Sequence, residues 1–143
     1  LLAARGEIDD PDGWLASRYR LPSPRLDLGA SLRKSATAAA DVSDGLVADA
    51  GHIAEASGCG LHIDLEAVPL SPAARRWLEA QPDRAAALVR LATGGDDYEV
   101  VCTARGAAPE GFTAIGEAAS AAGVEVRLDG VRLEVAQGGW RHL

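Results

Sequence analysis

The sequence predicts an α+β domain, a mixed β-sheet with helices packed on it. Three observations lead there. Segments with helical apolar spacing and segments with strict apolar–polar alternation both occur, without the regular βαβ succession of a fully parallel sheet. Near the end, VEVRL and VRLEV alternate about Asp129-Gly130, a dipeptide suited to a two-residue hairpin turn. At 143 residues, 48% of them apolar, the chain supports one core.

The elements follow in order. Residues 1–5 read as the tail of a helix, and Asp10-Pro11 as the start of another carrying Trp14, Leu15 and Tyr19. LPSPRLDLG has two prolines in three residues and is held extended before a short helix around Leu26 to Arg33. TAAADVS reads as a strand of small residues. From Asp44 the apolar residues Leu46, Val47, Ala50, Ile53 and Ala54 fall at helical spacing, which Gly58 and Gly60 stop. LHIDLE alternates as a half-buried strand, with Leu61, Ile63 and Leu65 on one side and His62, Asp64 and Glu66 on the other. Ser71-Pro72 is an N-cap followed by proline at the first helical position, opening a helix through Trp77 and Leu78. A further helix spans roughly Pro82 to Leu91, TGGDD turns the chain into the strand YEVVCTA, and a short strand is expected near Phe112 to Ile115.

Composition narrows the function classes. A formal charge of −7 argues against a nucleic-acid partner, whose phosphates need basic patches. It leaves room for small phosphorylated ligands held through divalent metals. No apolar run is long enough to span a bilayer, and no signal-peptide pattern is present, so no membrane partner is expected. Cys59 and Cys102 are far apart, in no metal-ligand spacing, and read as buried thiols of a cytosolic protein. The absence of methionine and the opening LLAARGEIDD suggest that further sequence lies upstream.

The chemistry concentrates in two acidic turns. ADVSDGLVAD places Asp41, Asp44 and Asp49 within ten residues, where a strand gives way to a helix. By pattern alone, Ser43 or Asp44 is an N-cap and Asp41 a surface charge. The alternative is a metal site: crowded carboxylates repel unless a cation joins them, and Mg²⁺ takes one or two carboxylates together with phosphate oxygens and water. TGGDDYEV is the second turn. Gly94-Gly95 opens backbone conformations closed to other residues, and Asp96-Asp97 stand at the strand entrance. They read either as a polar turn after a helix or as carboxylates beside a pocket. Trp140 covers a core edge or offers an indole face to a flat cationic ring. His62 reads as a solvated surface residue, and His52 as a surface or helix-packing one.

Taken together, LPSPRLDLG, ADVSDGLVADAGHIAEASGCGLHIDLEAVPLS, TGGDDYEVVCTA, AIGE at 114–117 and GWRH at the end resemble the thiamine-monophosphate kinase family. They stand in that family's order from about residue 18 onward. The resemblance implies the C-terminal domain of an aminoimidazole ribonucleotide synthetase-like fold. Residues 1–143 then form a single domain, with residues 1–25 a helical lead-in from an N-terminal ATP-binding domain upstream. It further implies ATP- and Mg²⁺-dependent phosphorylation of thiamine monophosphate to thiamine diphosphate in the cytoplasm, by a protein that is a homodimer at full length. Asp41 and Asp44 match Mg²⁺ ligands, and Ser43 matches an ATP contact. Asp96 stands where the family usually has a glutamate that contacts substrate, and Trp140 where an aromatic contacts the thiamine moiety. No catalytic base is implied, since a substrate phosphate is already a nucleophile. Two alternatives stay open: another ATP-using enzyme of the same superfamily, and a non-catalytic folding or pairing module.

Overall fold

The computed structural model describes residue 3 and residues 5–136. Ala3 and Arg5 lie in turns, so the helix expected over residues 1–5 is not seen at those two positions. Helix α1 (Trp14–Arg20) starts after Asp10, whose carboxylate accepts from the Leu15 and Ala16 amides at 3.1 and 2.9 Å. A 3-10 turn (Leu26–Leu28) leads directly into α2 (Gly29–Ser35) and β1 (Ala36–Val42). Helix α3 (Leu46–Ser57) follows, ending at Gly58 in the left-handed conformation, φ 63°. There the Cys59 amide reaches back to the Ala54 carbonyl at 3.1 Å, a glycine C-terminal cap.

The remaining elements are β2 (Gly60–Asp64), α4 (Pro72–Glu79), α5 (Arg84–Ala92), β3 (Glu99–Ala104), β4 (Gly116–Ala119), β5 (Gly123–Leu128) and β6 (Val131–Leu133). The expected cap at Ser71 forms, and Asp83 caps α5 in the same way. Ser71 Oγ accepts from the Ala74 amide at 3.1 Å, and Asp83 Oδ1 accepts from the Ala86 amide at 2.9 Å. The β5–β6 hairpin turns on Asp129 (φ 50°) and Gly130 (φ 76°), both in the left-handed region that its two-residue turn requires.

The strands form two separate sheets. β1 pairs antiparallel with β3, with Asp41 opposite Val100 and Val42 opposite Glu99. The other sheet has the order β4-β2-β5-β6 and is mixed, since β2 runs parallel to β5 and antiparallel to β4. The strand expected at Phe112 to Ile115 is displaced: the ladder is made by Gly116–Ala119, and of the expected residues Ile115 meets β2 through its carbonyl, which accepts from the Asp64 amide at 2.8 Å. The cause is steric. A Cβ at Gly116 would lie 1.8 Å from the His62 carbonyl, so the backbones approach most closely where no side chain intervenes.

The core lies where α3, α4 and α5 meet the inner face of the mixed sheet. Leu61, Ile63 and Leu65 point inward at 2–6% exposure, with Val126, Ile53, Leu78 and Leu88 around them. Full burial of one such side chain contributes about 1.5–3 kcal/mol. α3 also packs on β1, so it touches both sheets. The outward face of β2 differs from expectation at His62. That ring is half-buried between Arg127, whose Nη2 is 3.5 Å from Nε2, and Glu117, whose Oε1 is 3.7 Å from Nδ1. Cys59 and Cys102 are likewise half-buried rather than fully enclosed.

Candidate functional site

The two acidic turns, separated by some fifty residues of chain, are one structure. β1 delivers Val42 into the core at 5% exposure, which turns the Asp41 side chain to the exposed face. The chain then bends through Ser43, Asp44 and Gly45 into α3. The second turn closes on this bend through two backbone bonds: Asp96 N–H to the Ser43 carbonyl at 2.8 Å and Tyr98 N–H to the Val42 carbonyl at 2.9 Å. Glycine is required on both sides. A Cβ at Gly95 would stand 2.4 Å from the Ser43 carbonyl oxygen, and one at Gly45 would stand 2.9 Å from the Thr93 carbonyl. Gly45 also has φ 118°. Asp96 and Tyr98 themselves take positive φ values of 67° and 53°, so this loop bends sharply at each.

The second motif is strongly acidic, and its neighbours respond. Asp97 has its carboxyl pushed up to about 6, first by desolvation and then by the negative charges of Glu99 and Asp96. Tyr98 donates its hydroxyl to Asp96 Oδ1 at 3.3 Å. Its phenol pKa is raised, chiefly by the Asp96 charge and the bond to it, with smaller contributions that include Asp41. Two guanidinium groups meet this edge: Arg18 Nη2 lies 2.9 Å from one Glu99 oxygen and Arg25 Nη1 lies 2.5 Å from the other. Arg25 also holds Asp27 at 3.4 Å. A cleft of about 1050 Å³ opens beside these groups, with Arg18, Arg25, Asp96, Asp97 and Glu99 in its wall.

Four of the five expected site residues lie among the described residues. Asp41 is exposed, Ser43 and Asp44 are half-buried, and Asp96 is exposed on the adjoining loop. Asp96 faces the cleft, whereas Asp41, Ser43 and Asp44 are not among the cleft's lining residues. Trp140 lies outside the described residues. The N-cap position of α3 falls on Gly45 and not on Ser43 or Asp44, the role that pattern alone assigned to one of them. Asp49, in the first turn of α3, takes that part in reverse: its Oδ2 accepts from both the Ser43 and the Asp44 amides at 3.0 Å. Ligand atoms of Asp44, Asp49 and His52 lie within 4.8 Å of one another.

Mg²⁺ fits this donor set. It takes few carboxylates and keeps positions for water and phosphate oxygens. Carboxylates at 41 and 44, accessible on a bend whose backbone is fixed from two sides, meet that requirement. The sequence pattern had no signal for Asp49 as an acceptor, because its partners lie five and six residues back across a bend. Nor did it signal the Arg18 and Arg25 contacts to Glu99, which span 81 and 74 residues.

Comparison with known proteins places the chain. Residues 7–136 match the family described as AIR synthase related protein, C-terminal domain. The thiamine-monophosphate kinase of Caulobacter vibrioides is 52% identical over 126 residues, covering 88% of this chain and 35% of that protein. Among solved structures, AaThiL complexed with AMPPCP and TMP superposes with a TM-score of 0.75 at 31% identity, covering 99% of this chain and 45% of that one. The thiamine-monophosphate kinase of Stenotrophomonas maltophilia K279a gives 0.68 at 35% identity, covering 94% and 46%. The chain thus spans about a third to a half of the length of these relatives. With the profile matched across nearly its whole length and the α+β architecture shared, this chain belongs to the AIR synthase-related protein family, as its C-terminal domain.

Proposed function

We propose that this chain is the C-terminal domain of an ATP- and Mg²⁺-dependent thiamine-phosphate kinase, which transfers a phosphoryl group onto the phosphate of thiamine monophosphate. One observation carries the reading. The backbone bonds Asp96–Ser43 and Tyr98–Val42 join the bend carrying Ser43 and Asp44, next to Asp41, to the loop carrying Asp96. The relatives' names agree with it, and one solved relative is a complex with AMPPCP, an ATP analogue, and TMP.

In this reading Asp41 and Asp44 hold Mg²⁺, Ser43 contacts ATP, and Asp96 and Trp140 contact the thiamine phosphate. Mg²⁺, when bound, neutralises the phosphate charge that would otherwise keep two anionic reactants apart. The chain's own residues position and orient. Asp41 and Asp44 present carboxylates from a bend that cannot relax without losing bonds to residues 49, 96 and 98, so their alignment with the phosphates is set before the reactants arrive. Ser43 would offer its hydroxyl to a phosphate oxygen from the same bend. Aspartate at 96 is one methylene shorter than the glutamate usual in relatives, so its reach is shorter by about 1.5 Å, one C–C bond. The sharp loop with φ 67° at this position carries the carboxylate to the cleft wall. No residue is needed as a base, because the acceptor phosphate is already a nucleophile.

The reading places an N-terminal ATP-binding domain upstream in the same polypeptide, the full protein as a homodimer, and its action in the cytoplasm. Among the described residues no helix is long and apolar enough to cross a membrane. The test is a panel of phosphorylated acceptors offered with ATP to the complete polypeptide, with and without Mg²⁺. Thiamine monophosphate should be the acceptor used, and only with Mg²⁺. Preference for another acceptor would move the protein to a different activity within the superfamily, and nucleotide binding without any turnover would make it a pairing module.

A further inference from the structure

Asp49 is the buried charged side chain of this domain: among the described residues it is the polar or charged residue in the buried class, at 5% exposure. A carboxylate withdrawn from water is costly unless its oxygens are well satisfied. Here one oxygen accepts from two successive amides, Ser43 and Asp44, each at 3.0 Å. The residue also sits in the first turn of α3, where the helix dipole favours a negative charge. Simple helix capping does not require this arrangement. A short polar side chain just ahead of a helix caps it directly, without burying a charge inside the first turn.

The effect of the arrangement is on direction. Two consecutive N–H groups held on one oxygen fix the orientations of the Val42–Ser43 and Ser43–Asp44 peptides, and with them the directions in which both side chains leave the backbone. The bond from Asp96 N–H to the Ser43 carbonyl holds that residue from its other side. Asp49 also places negative charge close behind Asp44, with ligand atoms of the two residues and of His52 within 4.8 Å. Outer residues that orient and polarise metal ligands in this way commonly change metal affinity by about 10–100-fold when replaced.

We infer that Asp49 is a positioning residue for the divalent cation: it sets the Ser43–Asp44 bend and lends its charge to the carboxylate of Asp44. The inference rests on the assignment of Asp44 to Mg²⁺ and names a residue that assignment does not include. It is tested with Asp49→Ala and Asp49→Asn in the complete polypeptide. Three quantities are measured: thermal stability, the Mg²⁺ concentration giving half-maximal rate, and Mg²⁺–AMPPCP binding by calorimetry. Alanine should raise the Mg²⁺ requirement by about tenfold or more. Asparagine keeps an oxygen that accepts from both amides but loses the charge that strengthens such bonds roughly twofold, so it should recover part of the affinity, ending about 3–10-fold below wild type. The loss should show in the Mg²⁺ requirement before it shows in kcat.

A variant that melts earlier but keeps the wild-type Mg²⁺ requirement would reduce Asp49 to a fold-stabilising residue and overturn the inference. Asparagine as damaging as alanine would overturn it differently, by showing that Asp49 binds the metal itself. If the alanine variant does not fold, asparagine decides alone, and a wild-type Mg²⁺ requirement there sinks the idea. The acceptor need not be thiamine monophosphate: if the panel selects another, the same ordering is expected with that acceptor, so the two readings fail separately. A wild-type protein that binds no Mg²⁺–AMPPCP overturns both.

Discussion

Replacing Gly95 with alanine would place a methyl carbon 2.4 Å from the carbonyl oxygen of Ser43. A carbon–oxygen contact needs about 3.2–3.4 Å, and both atoms belong to backbone, so the 94–97 loop must retreat by the better part of an ångström. The retreat stretches the 2.8 Å bond from Asp96 N–H to that same carbonyl. Losing one such bond costs about 0.5–1.5 kcal/mol, and overpacking against a fixed backbone costs about 1–3 kcal/mol, so the expected destabilisation is about 2–4 kcal/mol. At this chain length each kcal/mol lowers Tm by about 3–5 °C, which makes the change easy to read by thermal circular dichroism. The neighbouring glycine supplies the control. A Cβ at Gly94 meets the Arg90 and Leu91 carbonyls at 3.5 and 3.6 Å, ordinary contact distances, so Gly94→Ala should melt close to wild type. Hydrogen exchange adds a local readout, with the Asp96 amide losing protection in the Gly95 variant alone. Equal melting of the two variants would refute the close packing of the two turns.

Three further outcomes follow from the same geometry. Asp97, with its carboxyl at about 6 in the folded chain against about 3.9 for an unperturbed aspartate, binds its proton more tightly when folded. Its contribution to stability is therefore full below about pH 4 and lost as the pH rises through 6. Across that window the urea midpoint of wild type should lose ground to that of Asp97→Asn as the pH rises; a difference of the opposite sign would contradict the crowding with Glu99 and Asp96. In the complete polypeptide, Asp44→Ala should remove Mg²⁺-dependent turnover by at least about a hundredfold while the protein still folds cooperatively. Wild-type rates would end the metal assignment. Trp140→Ala should raise the KM for thiamine monophosphate more than it lowers kcat, and an unchanged KM would remove the stacking role.

Much of this architecture was legible because it depends on local chemistry. Ser71-Pro72 announces a helix start from two adjacent residues, Asp129-Gly130 announces a hairpin, and LHIDLE declares its buried face by alternation. What was not legible depends on distant partners. GEAA carries none of the β-branched or aromatic residues that mark a strand, yet it pairs with β2 because Gly116 admits the His62 carbonyl at close range. The separation of the strands into two sheets is likewise a matter of which edges meet, and β1 and β3 meet across more than fifty residues. For the candidate site, the residue types were visible in both acidic turns. Their union was not, since it is made by backbone bonds that any residue types could supply. Asp49 was visible as a charge, but its role was hidden by the bend that folds it back on Ser43.

The attachment of α1 has a consequence for how the domain behaves in different solutions. That helix buries none of its residues, and Trp14, Leu21 and Leu26 stand 55%, 78% and 84% exposed along the segment it belongs to. Its link to β3 is the pair of guanidinium groups on Glu99, both partly open to solvent. Raising the ionic strength shortens the range over which such charges attract, to about 3 Å at 1 M salt, without loosening apolar packing. The segment from Trp14 to Leu26 is thus a strap held by Leu15 against the core at one point and by charge at Glu99 at another, and concentrated salt should loosen the Glu99 fastening first.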